Sequence, residues 1–178
     1  MRNKFCASGG DLAYYPLLFK AMESTEGSIM ELGMGWGSTP LLNEYSKRNK
    51  RRLLSFDYNE DWRLKFDNIL HKYHTSDLVK DWSMVYASIK DASVIFIDQS
   101  PGEERKITIQ NYSNTSGILV IHDTEPIGAG DYRVRTLFDL FKYKVEVQTD
   151  GAWATALSQE IDITKWDGEK FGEYVITL

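Results

Sequence analysis

Glu31-Leu32-Gly33-Met34-Gly35-Trp36-Gly37-Ser38-Thr39 follows the apolar pair Ile29-Met30 and runs into Pro40-Leu41-Leu42. A short apolar segment, a turn with glycines at alternate positions and a helix start describe a strand that bends sharply into a helix. Glycine has no Cβ, so such a turn lets backbone lie directly against a ligand. A plain strand-to-helix connection needing positive φ gives the same pattern, and only the surrounding chain separates the two readings.

Working outward, Tyr14-Tyr15-Pro16-Leu17-Leu18-Phe19 leads to Ala21-Met22 with helical spacing, and Pro16 suits a first helical turn. This predicts an N-terminal helical segment within residues 1–27, broken by Ser24-Thr25-Glu26-Gly27, and then a strand over 28–32. Beyond the glycines, Ser38 or Thr39 can cap a helix with Pro40 in its first turn, running to about Lys47. The turn would then deliver backbone N–H groups to a helix N-terminus. The basic run Lys47-Arg48-Asn49-Lys50-Arg51-Arg52 suits a helix C-terminus and a solvated loop better than a nucleic-acid patch.

Leu53 to Asp57 reads as a second buried strand, and Asn59 can cap a helix carrying Trp62, Phe66, Ile69 and Leu70 on one side. Asp77-Leu78-Val79-Lys80 would be a short third strand, with Asp81-Trp82 in a loop and a helix from Ser83 to Ile89. Ser93 to Asp98 is the clearest buried strand, and Ser100-Pro101-Gly102-Glu103 has capping-box spacing for the next helix. Gly117 to Ile121 repeats the strand pattern and ends at His122-Asp123. Pro126 and Gly128-Ala129-Gly130 form a loop, and Val134, Leu137, Phe138 and Phe141 then recur at helical spacing. Tyr143 to Val147, Thr149-Asp150-Gly151 and Trp153 to Leu157 read as a hairpin with an Asp-Gly turn. In the tail, 158–178, Trp166, Phe171, Tyr174 and Val175-Ile176 are apolar enough to dock on the body.

With 178 residues and 42% hydrophobic content the chain fits one domain over 1–178. A net charge of −5 sets up no field for nucleic acid or an anionic membrane, so small molecules or proteins are the expected partners. Cys6 is the single cysteine and cannot form an internal disulfide, which suits a reducing compartment. No apolar run reaches signal-peptide or membrane-spanning length, so a cytoplasmic protein is expected, and a homo-oligomer is left open.

Ligands of open α/β sheets bind outside the carboxyl ends of the strands, where Gly33 to Gly37, Asp57, Asp81, Asp98 and His122-Asp123 would gather. Asp57 follows Gly37 at the separation, about 20 residues, from which an acid after the second strand can accept from ribose hydroxyls.

The glycine spacing departs from the dinucleotide fingerprint, in which two residues separate the second and third glycines. With Glu31 two residues before Gly33, the chain from about Ser28 to Leu157 resembles the class I S-adenosylmethionine-dependent methyltransferases. The resemblance implies a doubly wound, mostly parallel seven-stranded sheet with a C-terminal antiparallel hairpin and helices on both faces. It also implies methyl transfer from S-adenosylmethionine to a small-molecule acceptor, with an oxygen nucleophile as first choice. Carried over by position, Glu31, Gly33, Gly35 and Gly37 would contact the methionine moiety, with Met34, Trp36, Ser38 and Thr39 in the same cofactor-binding turn. Asp57 would hold the ribose, Asp81-Trp82 the adenine region, and Asp98 would border the cofactor.

Asp98, His122 and Asp123, the catalytic candidates, also look like positions where the catechol O-methyltransferase-like and cephalosporin hydroxylase-like branches carry metal ligands. A hard divalent cation such as Mg²⁺ would take oxygen ligands and acidify an acceptor hydroxyl, whereas the His122 nitrogen suits transition metals. Without metal, His122 or Asp98 could act as general base. His71 and His74 are expected at the surface, and Glu103-Glu104-Arg105-Lys106 as a solvated turn from which Arg105 could grip an anionic acceptor. Cleavage of S-adenosylmethionine by hydrolase or lyase chemistry, a non-catalytic binding module and a dinucleotide-dependent oxidoreductase are the alternatives.

Overall fold

Alternating apolar runs build a sheet covered on both faces. The computed structural model describes residues 13–86, 91–126, 132–149 and 152–168. Cys6, Ile89, Gly128 to Gly130, Asp150-Gly151 and the tail from residue 169 lie outside them. In chain order the elements are α1 (Tyr14–Glu23), β1 (Ser28–Leu32), α2 (Ser38–Asn49), β2 (Leu53–Asp57), α3 (Glu60–Arg63), β3 (His74–Leu78) and α4 (Ser83–Tyr86). They continue with β4 (Ala92–Ile97), α5 (Glu104–Asn111), β5 (Ile118–His122), β6 (Tyr143–Gln148) and β7 (Trp153–Ser158). Short 3₁₀ segments cover Leu64–Ile69, Val134–Leu140 and Thr164–Gly168.

The seven strands lie in the order β3-β2-β1-β4-β5-β7-β6. The first five are parallel, and β7 enters antiparallel between β5 and β6. Strand order therefore reverses between β1 and β4, where an open sheet leaves a crevice at its carboxyl edge.

Because strand side chains alternate, Ile29, Leu53, Val94, Phe96, Ile118 and Val120 pack on one face with α1 and Leu41 and Leu42 of α2. Met30, Leu32, Leu54, Phe56, Ile95, Ile97, Leu119 and Ile121 pack on the other with Trp82, Val85, Ile109 and Phe138. The same period puts Glu31, Ser55, Asp57 and His122 on the α1/α2 face, since each lies two or four residues from a member of that first cluster. The polar side chains thus share one face because of strand geometry.

Several local expectations change. The third strand starts at His74, pairing Leu53 with His74 and Asp57 with Leu78, so Val79 and Lys80 lie beyond it. Its His-Thr-Ser-Asp-Leu sequence sits at the sheet edge, where one side is solvated and the apolar signal is weak. Asn59 does cap a helix, accepting from the Trp62 N–H at 3.1 Å, but that helix is one turn of α followed by 3₁₀. Of Trp62, Phe66, Ile69 and Leu70 only Phe66 is buried. The apolar spacing at 134–141 is met by a 3₁₀ segment entered through Arg133 at φ 53° and burying Val134 and Phe138. No Ser100 capping box forms, because Glu103 is the N-cap of α5 and makes no side-chain cap bond.

Arg51 is also misplaced by the solvated-loop reading, being only 9% exposed. Its guanidinium donates to the carbonyls of Met22 (2.6 Å) and Gly27 (2.8 Å) and to Thr25 Oγ1 and Ser93 Oγ, joining the end of α1 to β1 and β4. Trp166 is buried in the α1-face core, and no helix among the described residues is long and apolar enough to cross a membrane.

Candidate functional site

At the end of β1 the backbone is held on both sides, with the Gly33 N–H donating to the Phe56 carbonyl and the Asp98 N–H to the Leu32 carbonyl, at 2.9 and 2.8 Å. Gly33 has φ +90°, and a Cβ on it would run into the Asp98 carbonyl. The turn therefore crosses the end of β4 at a distance that only glycine permits. Two carboxylates pin it. Asp57 Oδ2 accepts from the Met34 N–H at 2.9 Å. Glu31, fully buried, accepts from Ser38 Oγ (2.6 Å) and Thr39 Oγ1 (2.9 Å) with one oxygen and from Ser55 Oγ (2.6 Å) with the other.

Thr39 Oγ1 in turn accepts from the Gly35 N–H at 2.9 Å. Glu31, Ser38 and Thr39 were expected against the cofactor, but their side chains face inward and act as the fastening of the turn. Gly37 is the N-cap of α2, and the hydroxyls read as caps go to Glu31. Among the described residues no acceptor is found for the N–H groups of Trp36, Gly37 and Ser38, of which Trp36 is exposed and Ser38 buried. Trp36 is 60% exposed and leans on Phe66, with ring centroids 4.9 Å apart, while Trp62 Nε1 donates to the Met34 carbonyl at 2.7 Å.

Below the turn, Ser55 Oγ also meets His74 Nε2 at 2.9 Å, and His74 Nδ1 meets Asn43 Oδ1 at 2.8 Å. His71 Nε2 meets the Asn43 carbonyl at 3.0 Å. His74 is 3% exposed, so the surface expected for it is corrected to the interior. Burial holds the Glu31 carboxyl up at about 7 and, with some help from His71, holds the His74 imidazole down at about 4. Both directions favour uncharged partners. Neutral His74 donates from Nδ1 to Asn43 and can accept at Nε2. Ser55 has one O–H, given to Glu31 when that group is a carboxylate and free to turn to His74 when Glu31 is protonated and itself donates to Ser55.

The two shifts act on stability with opposite signs. Glu31, raised from 4.5, contributes stability that is complete below about 4.5 and lost as pH rises through about 7. His74, lowered from 6.5, contributes stability that is complete above about 6.5 and lost as pH falls through about 4. Between these limits the contributions oppose each other. In Glu31→Gln, stability should rise with pH across this window, and in His74→Asn it should fall, each by about 1 kcal/mol per unit. Urea unfolding at a series of pH values measures both slopes, and identical slopes in the two variants would refute the assignment.

At the ends of β4 and β5, Asp98, His122 and Asp123 present ligand-type atoms within 4.8 Å of one another. His122 Nδ1 lies 3.4 Å from Asp98 Oδ1 and 3.3 Å from Asp123 Oδ1. Burial opposes the imidazolium, but the hydrogen bond to Asp98 and the charges of both carboxylates outweigh it and Arg105, so the His122 pKa is raised. Burial likewise raises that of Asp123, against the charges of His122 and Arg105. His122 is 8% exposed, and its Nε2 is buried without a partner among the described residues. The carboxylates of Asp98 and Asp123 are more open, at 28% and 29%.

A cation already lies between those carboxylates. Arg105, expected in a solvated turn, is 4% exposed and donates to Asp98 Oδ1 at 2.7 Å and to Asp123 Oδ2 at 3.3 Å. A divalent ion would have to share both carboxylates with this guanidinium, so the donor set does not fit Mg²⁺. Because its nitrogens are engaged inside the protein, Arg105 is also not free to grip an anionic acceptor.

Asp81 is exposed and accepts from the Ser83 N–H at 2.9 Å, which starts α4. Trp82 is a core residue whose Nε1 donates to the Ser100 carbonyl at 3.0 Å, so it ties two loops together and leaves no indole face open to adenine. Sequence reasoning missed Tyr14, whose ring meets His122 edge-on at 4.9 Å and packs on Phe96 at 4.7 Å. Its hydroxyl lies where a Cβ on Gly37 would be, so Tyr14 stands between the turn and β5. Tyr15 donates to the Gly37 carbonyl at 2.9 Å. The two adjacent tyrosines before Pro16 were the available signal.

No protein-family model and no curated protein matches the chain. Solved structures do. Cofactor-bound Rv0187 from MTB matches with TM-score 0.64 and 14% identity over 90% of this chain and 84% of its own. The methyltransferase PaMTH1 of Podospora anserina, bound to S-adenosylhomocysteine (SAH), gives TM-score 0.58 and 12% identity over 83% and 78%. Spermidine synthase from Thermotoga maritima gives TM-score 0.61 and 12% identity over 94% and 68%. The fold is that of the class I S-adenosylmethionine-dependent methyltransferases.

Proposed function

We propose that this chain binds S-adenosylmethionine against the turn at 33–37 and Asp57, and transfers its methyl group to a small-molecule acceptor, with an oxygen nucleophile favoured. One observation carries the reading. Where strand order reverses between β1 and β4, a turn pinned by Asp57, whose Trp36 N–H has no acceptor among the described residues, lies directly against the residue that bears the part-exposed Asp98 carboxylate. Structural likeness to methyltransferases supports the donor.

Bound S-adenosylmethionine supplies an electrophilic methyl carbon on a sulfonium. The chain's own work is alignment and, for a hydroxyl acceptor, removal of one proton. Asp98 can take that proton at Oδ2, which has no donor among the described residues, while Arg105 and His122 hold Oδ1. His122 lies behind Asp98 and orients it. The net charge of −5 disfavours a nucleic-acid acceptor, and the single cysteine suits a reducing cytoplasm.

The test is calorimetric titration with S-adenosylmethionine and SAH, followed by incubation of methyl-labelled donor with a panel of small hydroxyl compounds and mass spectrometry. Stoichiometric binding and label on an acceptor are expected. Absence of binding overturns the reading, donor breakdown without an acceptor assigns a cleaving enzyme, and binding with no transfer assigns a binding module.

A further inference from the structure

We propose that Arg105 is a resident cation standing in for a divalent metal at the strand ends, so that Asp98, His122 and Asp123 work metal-free. Arg105 is a positioning residue here, acting through the carboxylates it holds. Its Nε donates to the Gln99 carbonyl at 3.0 Å, Nη1 to the His122 carbonyl at 2.9 Å and to Asp123 Oδ2 at 3.3 Å, and Nη2 to Asp98 Oδ1 at 2.7 Å. Three of these acceptors lie just beyond the ends of β4 and β5, and the fourth is the carbonyl of the last residue of β5. The Tyr132 ring covers the guanidinium at 4.4 Å, and glycine at position 102 leaves room for that ring.

This is a built-in site. The guanidinium cannot swing away without giving up its bonds to two carbonyls and two carboxylates, and its burial makes that loss costly. Arg105 presents its donors in a planar fork, which holds both carboxylates at fixed spacing as a metal ion would. A second cation bound by the same carboxylates would lie close to the fixed positive charge and be repelled by it. Only the catalytic consequence rests on the proposed methyl transfer, because metal exclusion is read by binding alone.

The experiment is titration of the chelator-treated full chain with Mn²⁺, followed by electron paramagnetic resonance and calorimetry. Wild type should show no saturable binding, and Arg105→Lys, which keeps the charge, should behave the same. Arg105→Ala should gain saturable Mn²⁺ binding, and adding Asp98→Asn should remove it. Circular dichroism and urea midpoints establish that the variants are folded. Saturable Mn²⁺ binding to wild type that Asp98→Asn abolishes would overturn the proposal, even if Arg105→Ala cannot be purified. So would a folded Arg105→Ala that binds no more Mn²⁺ than wild type. In methyl-transfer assays, wild-type activity should survive chelator unchanged.

Discussion

Gly33→Ala should lower folding stability by about 3 kcal/mol or more and abolish S-adenosylmethionine binding. Two penalties combine at this position. The residue sits at φ +90°, where a Cβ is strained whatever the space around it, and that Cβ would meet the carbonyl of Asp98 and the amide of Gln99. Both neighbours are backbone at the end of β4, held by the Asp98 N–H to Leu32 bond at 2.8 Å, so neither can give way cheaply. Relief would have to come from lifting the turn, which would pull Met34 from Asp57 and the Gly35 N–H from Thr39.

Gly35 is the control. It has no positive φ, and its Cβ would meet only Ser38 Oγ at 3.4 Å, an ordinary contact. Gly35→Ala should therefore change stability by no more than about 0.5 kcal/mol, while weakening the cofactor about tenfold if the ligand lies against it. Urea midpoints and calorimetric titrations separate the two outcomes. A Gly33→Ala protein with the wild-type midpoint would mean that the turn does not cross β4 as closely as described.

What the sequence made legible follows from which interactions are local. Strand alternation and the glycine turn repeat over a few residues, so β1, β2, β4, β5 and the hairpin could be read, together with the close backbone approach at Gly33. The inward roles could not. His74 becomes a core residue because Asn43 and Ser55, 31 and 19 positions away, meet it across the sheet. Arg105 looks like one member of a charged helical turn, and only the pairing of β4 with β5 brings Asp98 and Asp123 to either side of it. Arg51 is hidden in the same way within a basic run. A charged side chain's burial depends on partners distant in sequence, whereas a strand's apolar period does not.

Asp57→Ala should weaken S-adenosylmethionine about a hundredfold while leaving the chain folded, an effect that combines two losses. Asp57 is 5% exposed, and its two oxygens accept from the N–H groups of Met34 (2.9 Å) and Asn59 (2.8 Å). Burial raises its pKa, opposed by the backbone bonds from Asn59, Met34 and Tyr58. These backbone bonds do not fill the carboxylate's acceptor sites, so a ribose hydroxyl can be added without breaking them. Alanine frees Met34, and with it the turn, and removes any ribose acceptor. Asparagine should be little better, because its NH₂ would face one of the two N–H donors that Asp57 now satisfies. The two losses separate in a cycle that compares SAH with an analogue lacking the ribose hydroxyls. If Asp57 holds the ribose, removing the hydroxyls should weaken binding to wild type and make little difference to Asp57→Ala. Equal losses in the two proteins would assign Asp57 to fastening the turn alone, and an unchanged affinity in Asp57→Ala would remove it from the site.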